Sequence, residues 1–222
     1  MDNREFKKRI RKDCLSPLAK KYGFSFTKPT LLTRVNDDVL HIINVDVPTR
    51  WINCNIALLP LYVPAGFIGL SFGNRLNQFK ANLPDLWGGN RTEQGLQKDM
   101  NEIMNLIETN VIPWFDEMGN PTGIVSMIES GAVNDPHLTV GFSPFLRHAY
   151  LGFSYLYLGK FDLAEKPLKT VIDIFKDDDR IGAIRWKELM KETIVLINNE
   201  PEKINDKLKE YIEYTKTNLK LK

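Results

Sequence analysis

The feature that most constrains the fold is the stretch 31–63, which carries the only clean period-two patterning in the chain. Apolar side chains occupy every second position over 39–47, and the run 51–59 repeats the pattern. Such alternation is typical of antiparallel strands that bury one face. A further strand over 31–35 precedes an Asn-Asp-Asp turn at 36–38, so the stretch predicts an antiparallel meander.

The residues between the two central strands fix how these strands pair. A two-residue loop at Pro48-Thr49 would need a positive φ at Pro48, which the proline ring forbids. A loop over 48–51 instead pairs Val47 with Ile52 and keeps apolar residues opposite each other along both strands. This register also sets polar side chains side by side on the other face. It predicts a polar sheet face that consists of Asn44, Asp46, Trp51, Asn53 and Asn55.

After the meander, Pro60 and Pro64 flank the apolar segment 61–63. Because proline has no amide hydrogen to donate, this segment is predicted to lie at a sheet edge. The glycine-rich run 65–73 lacks the Lys-Ser/Thr ending of a phosphate-binding loop, so it predicts a strand or a buried loop.

Composition and charge exclude several classes of protein. A hydrophobic fraction of 43% in 222 residues is sufficient for a packed core and argues against global disorder. The net charge of +2 gives no reason to expect a polyanionic partner for the whole chain. The two cysteines fall in unlike contexts and make no disulfide framework. No signal peptide or long apolar window is present, so we expect a cytoplasmic protein without a membrane partner.

The first 22 residues predict a helix with an apolar stripe at four-residue spacing and a stop at Gly23. Pro17 is expected to kink or restart this helix, with Ser16 as its cap. The opposite face is basic, with most cations between Arg4 and Lys12. One interpretation is a nucleic-acid or anionic-membrane surface, and the other is a solvated helix face. The second is favoured, and nucleic acid is not predicted as a partner, because no interleaved aromatic residues accompany the charge.

Helical periodicity returns over 92–112, and a short turn then begins at Pro113 and ends at Gly119. Another short helix is predicted from Pro121 to Gly131. The order of these elements, and the helix exit Val111-Ile112-Pro113-Trp114-Phe115-Asp116, resemble the DUF4304 family, a set of bacterial proteins of unknown function. The resemblance covers about residues 5–131 and implies no catalytic residues.

The C-terminal part resembles one tetratricopeptide-type helical hairpin over residues 145–176. The residues that match are Leu151, Gly152, Tyr155, Gly159, Phe161, Ala164 and Leu168. Gly152 and Ala164 are small enough to let two antiparallel helices approach closely. A single hairpin is not expected to form the concave groove of a repeat array, which needs about three repeats or more. Further helices are predicted over 181–197 and from 201 to about 218.

Together these patterns predict an α+β fold, in which an antiparallel β-meander packs with helices and a C-terminal α-hairpin array follows. The predicted division is an α+β domain over 1–131 and a helical region over 132–222.

The histidines and cysteines offer little chemistry. His41 falls on the apolar strand face, where a hydrogen-bonded core histidine is more common than a ligand. His137 follows Asn-Asp-Pro in a loop and has no second ligand at helical or hairpin spacing. His148 is interpreted as a packing residue, and Cys54 as an inert buried thiol. The sequence therefore predicts no metal, no cofactor and no catalytic residue.

The function predicted from the sequence is that of a non-enzymatic bacterial protein that binds another protein, as an immunity-like or adaptor protein. The polar sheet face is its predicted binding surface, because clustered amide and carboxylate side chains beside a tryptophan suit protein recognition. Two alternatives stay open. The polar face is an ordinary solvated sheet surface, or the chain is an enzyme or small-ligand binder that uses this face and His137.

Overall fold

The sheet predicted from the period-two stretch lies at the centre of the protein. The computed structural model describes residues 3–47, 51–70, 72–80, 87, 92–132 and 143–221. In this part of the chain, five antiparallel strands follow one another in chain order. They are β1 Ser25–Lys28, β2 Leu31–Asn36, β3 Val39–Asp46, β4 Asn53–Pro60 and β5 Gly73–Arg75. The predicted α+β class is confirmed.

The predicted register between β3 and β4 is also confirmed. The observed partners include Val45 with Cys54, Asn44 with Asn55, and Asp46 with Asn53. The connecting residues 48–50 lie outside the described part of the chain. This register places Val45 and Cys54 together on the sheet face that carries His41.

Helices from the first two thirds of the chain cover the face of β3 that carries His41. They are α1 Asn3–Arg9, α2 Ser16–Tyr22, α3 Glu93–Leu106, α4 Ile112–Met118 and α5 Pro121–Glu129. The thiol of Cys14 points to the Met100 carbonyl of α3 at 3.9 Å, and the His41 ring stacks on Phe115 of α4 at 4.6 Å between centroids.

Two prolines lie just after π-helical segments, which are Ile10–Leu15 and Ile107–Val111. The expectation that Ser16 caps a new helix is wrong. Its backbone is helical, and its hydroxyl donates to the Arg11 carbonyl at 2.8 Å. Proline lacks an amide hydrogen and its ring crowds the preceding turn, so a wider turn lets the helix pass Pro17 without a break. The same arrangement at Pro113 carries the second helix on to Met118.

The C-terminal helices are α6 Pro144–Tyr157, α7 Phe161–Ile174, α8 Ile181–Asn199 and α9 Ile204–Leu219. The close approach predicted at Gly152 is confirmed, because a Cβ added there would lie 2.6 Å from Leu168 Cδ2 in α7. The Tyr155 hydroxyl donates to Glu129, so this side chain also joins α5 to the hairpin. No helix in the described ranges is long and apolar enough to cross a membrane.

The turn between β2 and β3 connects the sheet to the C-terminal helices. Asp37 and Asp38 both have positive φ, at 46° and 53°, as a two-residue type I′ turn requires. The Asp38 carboxylate accepts hydrogen bonds from the Tyr157 hydroxyl of α6 at 3.1 Å and from the Lys216 ammonium of α9 at 3.2 Å. The two predicted domains thus share one continuous hydrophobic core, and the boundary near residue 131 stays a prediction.

A buried hydrogen bond links the segment after β4 to α6. Tyr62 Oη and Ser154 Oγ lie 2.8 Å apart, and both side chains are fully buried. Removing one hydroxyl leaves the other without its partner. We expect Tyr62→Phe and Ser154→Ala each to lower the free energy of unfolding by about 1 kcal/mol, and the double variant to lose less than the sum. Urea unfolding of the four proteins measures this, and strictly additive losses would contradict it.

Candidate functional site

The structure brings the residues of the predicted polar sheet face together. Asn44 lies opposite Asn55, and Arg75 of β5 lies on the other side of Asn55. Asp46 and Trp51 are exposed, Trp51 by 43%, and the asparagines are half-buried. Sequence reasoning missed Arg75 because the short strand β5 has no alternation of its own.

Only part of this strand face is open. Leu40, Ile42 and Ala57 alternate with the polar residues on the same face, yet all three are fully buried. Leu59, next on β4, shares a cavity wall with residues of α6, α8 and α9. The C-terminal helices therefore cover the apolar half, and the polar half remains as a narrow strip. Within it, Asn53 Oδ1 is buried and has no hydrogen-bond partner in the described ranges.

His41 lies on the opposite face of β3 with both ring nitrogens engaged. Its Nε2 lies 2.6 Å from the Gly119 carbonyl oxygen, and its Nδ1 lies 3.1 Å from Arg34 Nη2. Because a guanidinium can only donate, Nδ1 is the acceptor and Nε2 carries the hydrogen. Burial is the main reason that the pKa of His41 falls to about 4, and the charge of Arg34 adds to it. His41 is therefore the hydrogen-bonded core histidine that the sequence predicts.

The other candidate groups do not gather into a site. His137 lies outside the described residues. Burial raises the pKa of the Cys14 thiol to about 12 and raises the pKa of Cys54 as well, so both thiols stay protonated and unreactive at pH 7. His148 on α6 is partly buried, which lowers its pKa. Within the described ranges, no three His, Cys, Asp or Glu residues are placed to hold a metal ion.

A deeper site lies between the segment 61–70 and the helices α6, α8 and α9. This aromatic cleft has a volume of about 670 Å³ and a largely apolar lining. Its aromatic side chains are Phe67, Phe145, Tyr150, Trp186, Tyr211 and Tyr214. Cavities of about 300–1,000 Å³ with this kind of lining are typical of binding sites.

One wall of the cleft is the segment that follows β4. The prediction that residues 61–63 lie at a sheet edge is wrong, because they form no strand and are buried. The Thr215 hydroxyl of α9 accepts a hydrogen bond from the Ala65 amide at 3.2 Å and donates to the Val63 carbonyl at 3.5 Å. These bonds replace the missing strand pairing and hold the chain against α9. Phe67 then projects into solvent, 77% exposed.

Ring contacts between the helices hold the other walls in place. Phe145 of α6 packs edge-on against Trp186 of α8, with ring centroids 5.4 Å apart. On the facing side, Tyr211 of α9 packs against Phe153 of α6 at 6.0 Å. Aromatic pairs at such separations are favourable in this edge-to-face geometry. The cleft is therefore pre-formed, since these rings are already fixed against each other.

The charges at the cleft suit binding better than proton transfer. Lys207 Nζ and Glu210 Oε2 lie 2.8 Å apart on α9, and this hydrogen bond raises the pKa of Lys207. Burial raises the pKa of Tyr211 and of Tyr150. All three groups stay protonated at neutral pH, so none of them is poised to act as a general base.

The cleft is the feature that sequence reasoning missed. A single helical hairpin was not expected to form the groove of a repeat array, and the cleft is a different kind of site, because α6 is the only helix of the hairpin that lines it. The segment 61–70 and α9 supply the walls that the α6–α7 hairpin lacks. The aromatic residues of the lining span positions 67 to 214. The only local signal is the pair Tyr211 and Tyr214, whose spacing places them on one face of α9.

Comparisons of the chain with protein-family models, with curated proteins and with solved structures gave no match. The resemblances to the DUF4304 family and to a tetratricopeptide hairpin stay predictions.

Proposed function

We propose that this protein is a non-enzymatic binding module that holds an apolar segment of another protein in the aromatic cleft. The observation that carries the proposal is a pre-formed concave site whose lip presents Phe67, 77% exposed. Covering one such side chain contributes about 1.5–3 kcal/mol to association. Tyrosine and tryptophan in a concave site are also the residue types that dominate binding energy at protein interfaces.

The cleft replaces the polar sheet face as the proposed primary surface. The sheet strip is narrow, and half of its strand face is already covered by the protein's own helices. An adaptor or immunity-like role is the functional class that we propose, because both act by holding another protein. We also propose that the protein works in the cytoplasm, a compartment that suits its two free, buried cysteines.

The test begins with a photo-crosslinker at the lip of the cleft. p-Benzoylphenylalanine replaces Phe67 in living cells, and the same group in place of Leu163 is the control, because Leu163 is 52% exposed on α7 and does not line the cleft. We expect a protein that cross-links from position 67 and not from position 163. If position 67 gives no specific cross-linked protein, the proposal is wrong.

A substitution at Gly182 then tests the cleft with the purified partner. Gly182 lines the cleft, and a Cβ added there would meet nothing within 4 Å. Both Gly182→Leu and Gly182→Ala are therefore accommodated sterically, Gly182→Leu adds bulk at the wall of the cleft, and Gly182→Ala is the matched control. We expect Gly182→Leu to weaken binding by at least about ten-fold and Gly182→Ala to leave it nearly unchanged. The double variant Trp51→Ala, Asn53→Ala tests the polar sheet face in the same binding assay. If only this variant weakens binding of the partner, the binding site is the polar sheet face and not the cleft.

A second candidate function is the binding of a small apolar ligand, for which the cleft volume of about 670 Å³ is the support. Native mass spectrometry of the purified protein separates the two. A small molecule that co-purifies with the wild type and is lost from Gly182→Leu would favour this second function.

A further inference from the structure

The rim of the aromatic cleft carries an excess positive charge. Three charged side chains line the cleft: Arg185, Lys207 and Glu210. Lys207 and Glu210 pair with each other at 2.8 Å and compensate each other's charge. Arg185 of α8 is exposed and has no acidic partner within the described ranges. The site thus combines an apolar interior with one guanidinium at its edge.

We propose that the occupant of the cleft is an amphipathic helix of the partner protein, with an Asp or Glu on its flank that pairs with Arg185. This inference rests on the proposed function of the cleft and names the chemistry of the partner. A guanidinium binds a carboxylate through two parallel hydrogen bonds, and it repels a lysine or arginine in the same place. A basic segment is therefore disfavoured at this rim.

The walls of the cleft favour a helix over an extended segment. Three of them are the helices α6, α8 and α9, whose interior backbone amides and carbonyls are bonded within each helix. An extended peptide needs backbone partners such as a free sheet edge, whereas a helix brings its own hydrogen bonds. On the fourth wall, the Ala65 amide and the Val63 carbonyl are already engaged by Thr215. A helix can insert large side chains from successive turns between the rings.

The experiment is a display selection from a library of random peptides about 14 residues long, a length that gives roughly four helical turns. Three parallel baits are used: wild type, Arg185→Glu and Gly182→Leu. We expect wild type to enrich peptides with large apolar residues at helical spacing and an excess of Asp and Glu. Those peptides should bind Arg185→Gln about five-fold more weakly, and Arg185→Glu should enrich Lys and Arg instead. Circular dichroism of each bait confirms that the exposed Arg185 can be changed without loss of fold.

The outcomes separate this inference from the proposed function. A different outcome is that wild type enriches peptides that are neutral, basic or proline-rich and that do not bind Gly182→Leu. This result would support the cleft as a protein-binding site and would contradict the proposal that its occupant is an acidic helix. Peptides that bind Gly182→Leu as well as wild type would show that the cleft is not the site, which contradicts both. If no peptide is enriched, the proposal of an acidic helix is wrong. The cross-linking experiment from position 67 then remains as the test of the proposed function.

Discussion

Lowering the pH from 7 to 4 will reduce the free energy of unfolding by about 3 kcal/mol through His41 alone. In the folded protein the pKa of His41 is about 4, against about 6.5 in an unfolded chain. Well above pH 6.5 the imidazole is neutral in both states and has no effect. Between pH 6.5 and 4 the unfolded chain takes up the proton first, so stability falls as the pH falls. Below pH 4 the folded state is protonated too, and the loss levels off.

The geometry around His41 explains why the folded state resists this proton. The ring nitrogen that carries no hydrogen is Nδ1, and it already accepts a hydrogen bond from the Arg34 guanidinium. A proton there breaks that bond and places two cations side by side in a buried site. On the far side, Phe115 stacks on the ring and Gly119 holds Nε2, so the imidazole is held on both sides.

Urea unfolding at pH 7, 6, 5 and 4 measures the effect. His41→Gln is the control, because its amide can still donate toward the Gly119 carbonyl but does not titrate. We expect this variant to be less stable at pH 7 and to lose little further stability down to pH 4. Equal slopes for the two proteins between pH 6.5 and 4 would show that His41 is not the group responsible.

Replacing a glycine by alanine in the first turn of α5 and in the first turn of α8 should change the free energy of unfolding in opposite directions. Gly123 lies in the first turn of α5 and is buried, and an added Cβ would lie 2.6 Å from both the Cα and the carbonyl oxygen of Met118. These are backbone atoms that cannot rotate away, so we expect Gly123→Ala to cost about 3 kcal/mol. Gly182 lies in the first turn of α8 with open space at its Cβ. Gly182→Ala should instead stabilise the protein by about 0.4–1 kcal/mol.

Thermal and urea unfolding of both variants test the pair. A destabilisation of similar size at both positions would mean that helix position, and not the contact with Met118, decides the outcome. The comparison also validates the binding experiment, since Gly182→Leu is informative only if position 182 tolerates a side chain.

The centre of the fold could be predicted from the sequence because its constraints are local. The proline ring at position 48 excludes the shortest loop, and with one face buried only one register keeps Val45 opposite Cys54. The turn at Asp37-Asp38 and the stop at Gly23 likewise depend on backbone conformations that few residue types adopt.

The errors arose where distant parts of the chain determine local structure. The segment 61–63 is apolar and flanked by prolines, which fits a sheet edge as well as a buried connection, and only Thr215 of α9 decides between them. Pro17 was predicted to kink or restart its helix and Pro113 to begin a short turn, because a proline does not show whether the preceding turn can widen. The binding cleft was missed for the same reason, as its rings meet only after the helices have packed.

The contact between Asp38 and Lys216 affects the order in which the chain folds during synthesis. Its two ends are 178 residues apart, and the contact between Ala65 and Thr215 spans 150 residues. Contacts of such high sequence separation form late, because a large loop must close before they contribute. During synthesis, the hairpin of β2 and β3 leaves the ribosome long before α9 does. Because α9 supplies part of its lining, the aromatic cleft forms only after α9 has docked, and we expect that a nascent chain cannot engage a partner there before then.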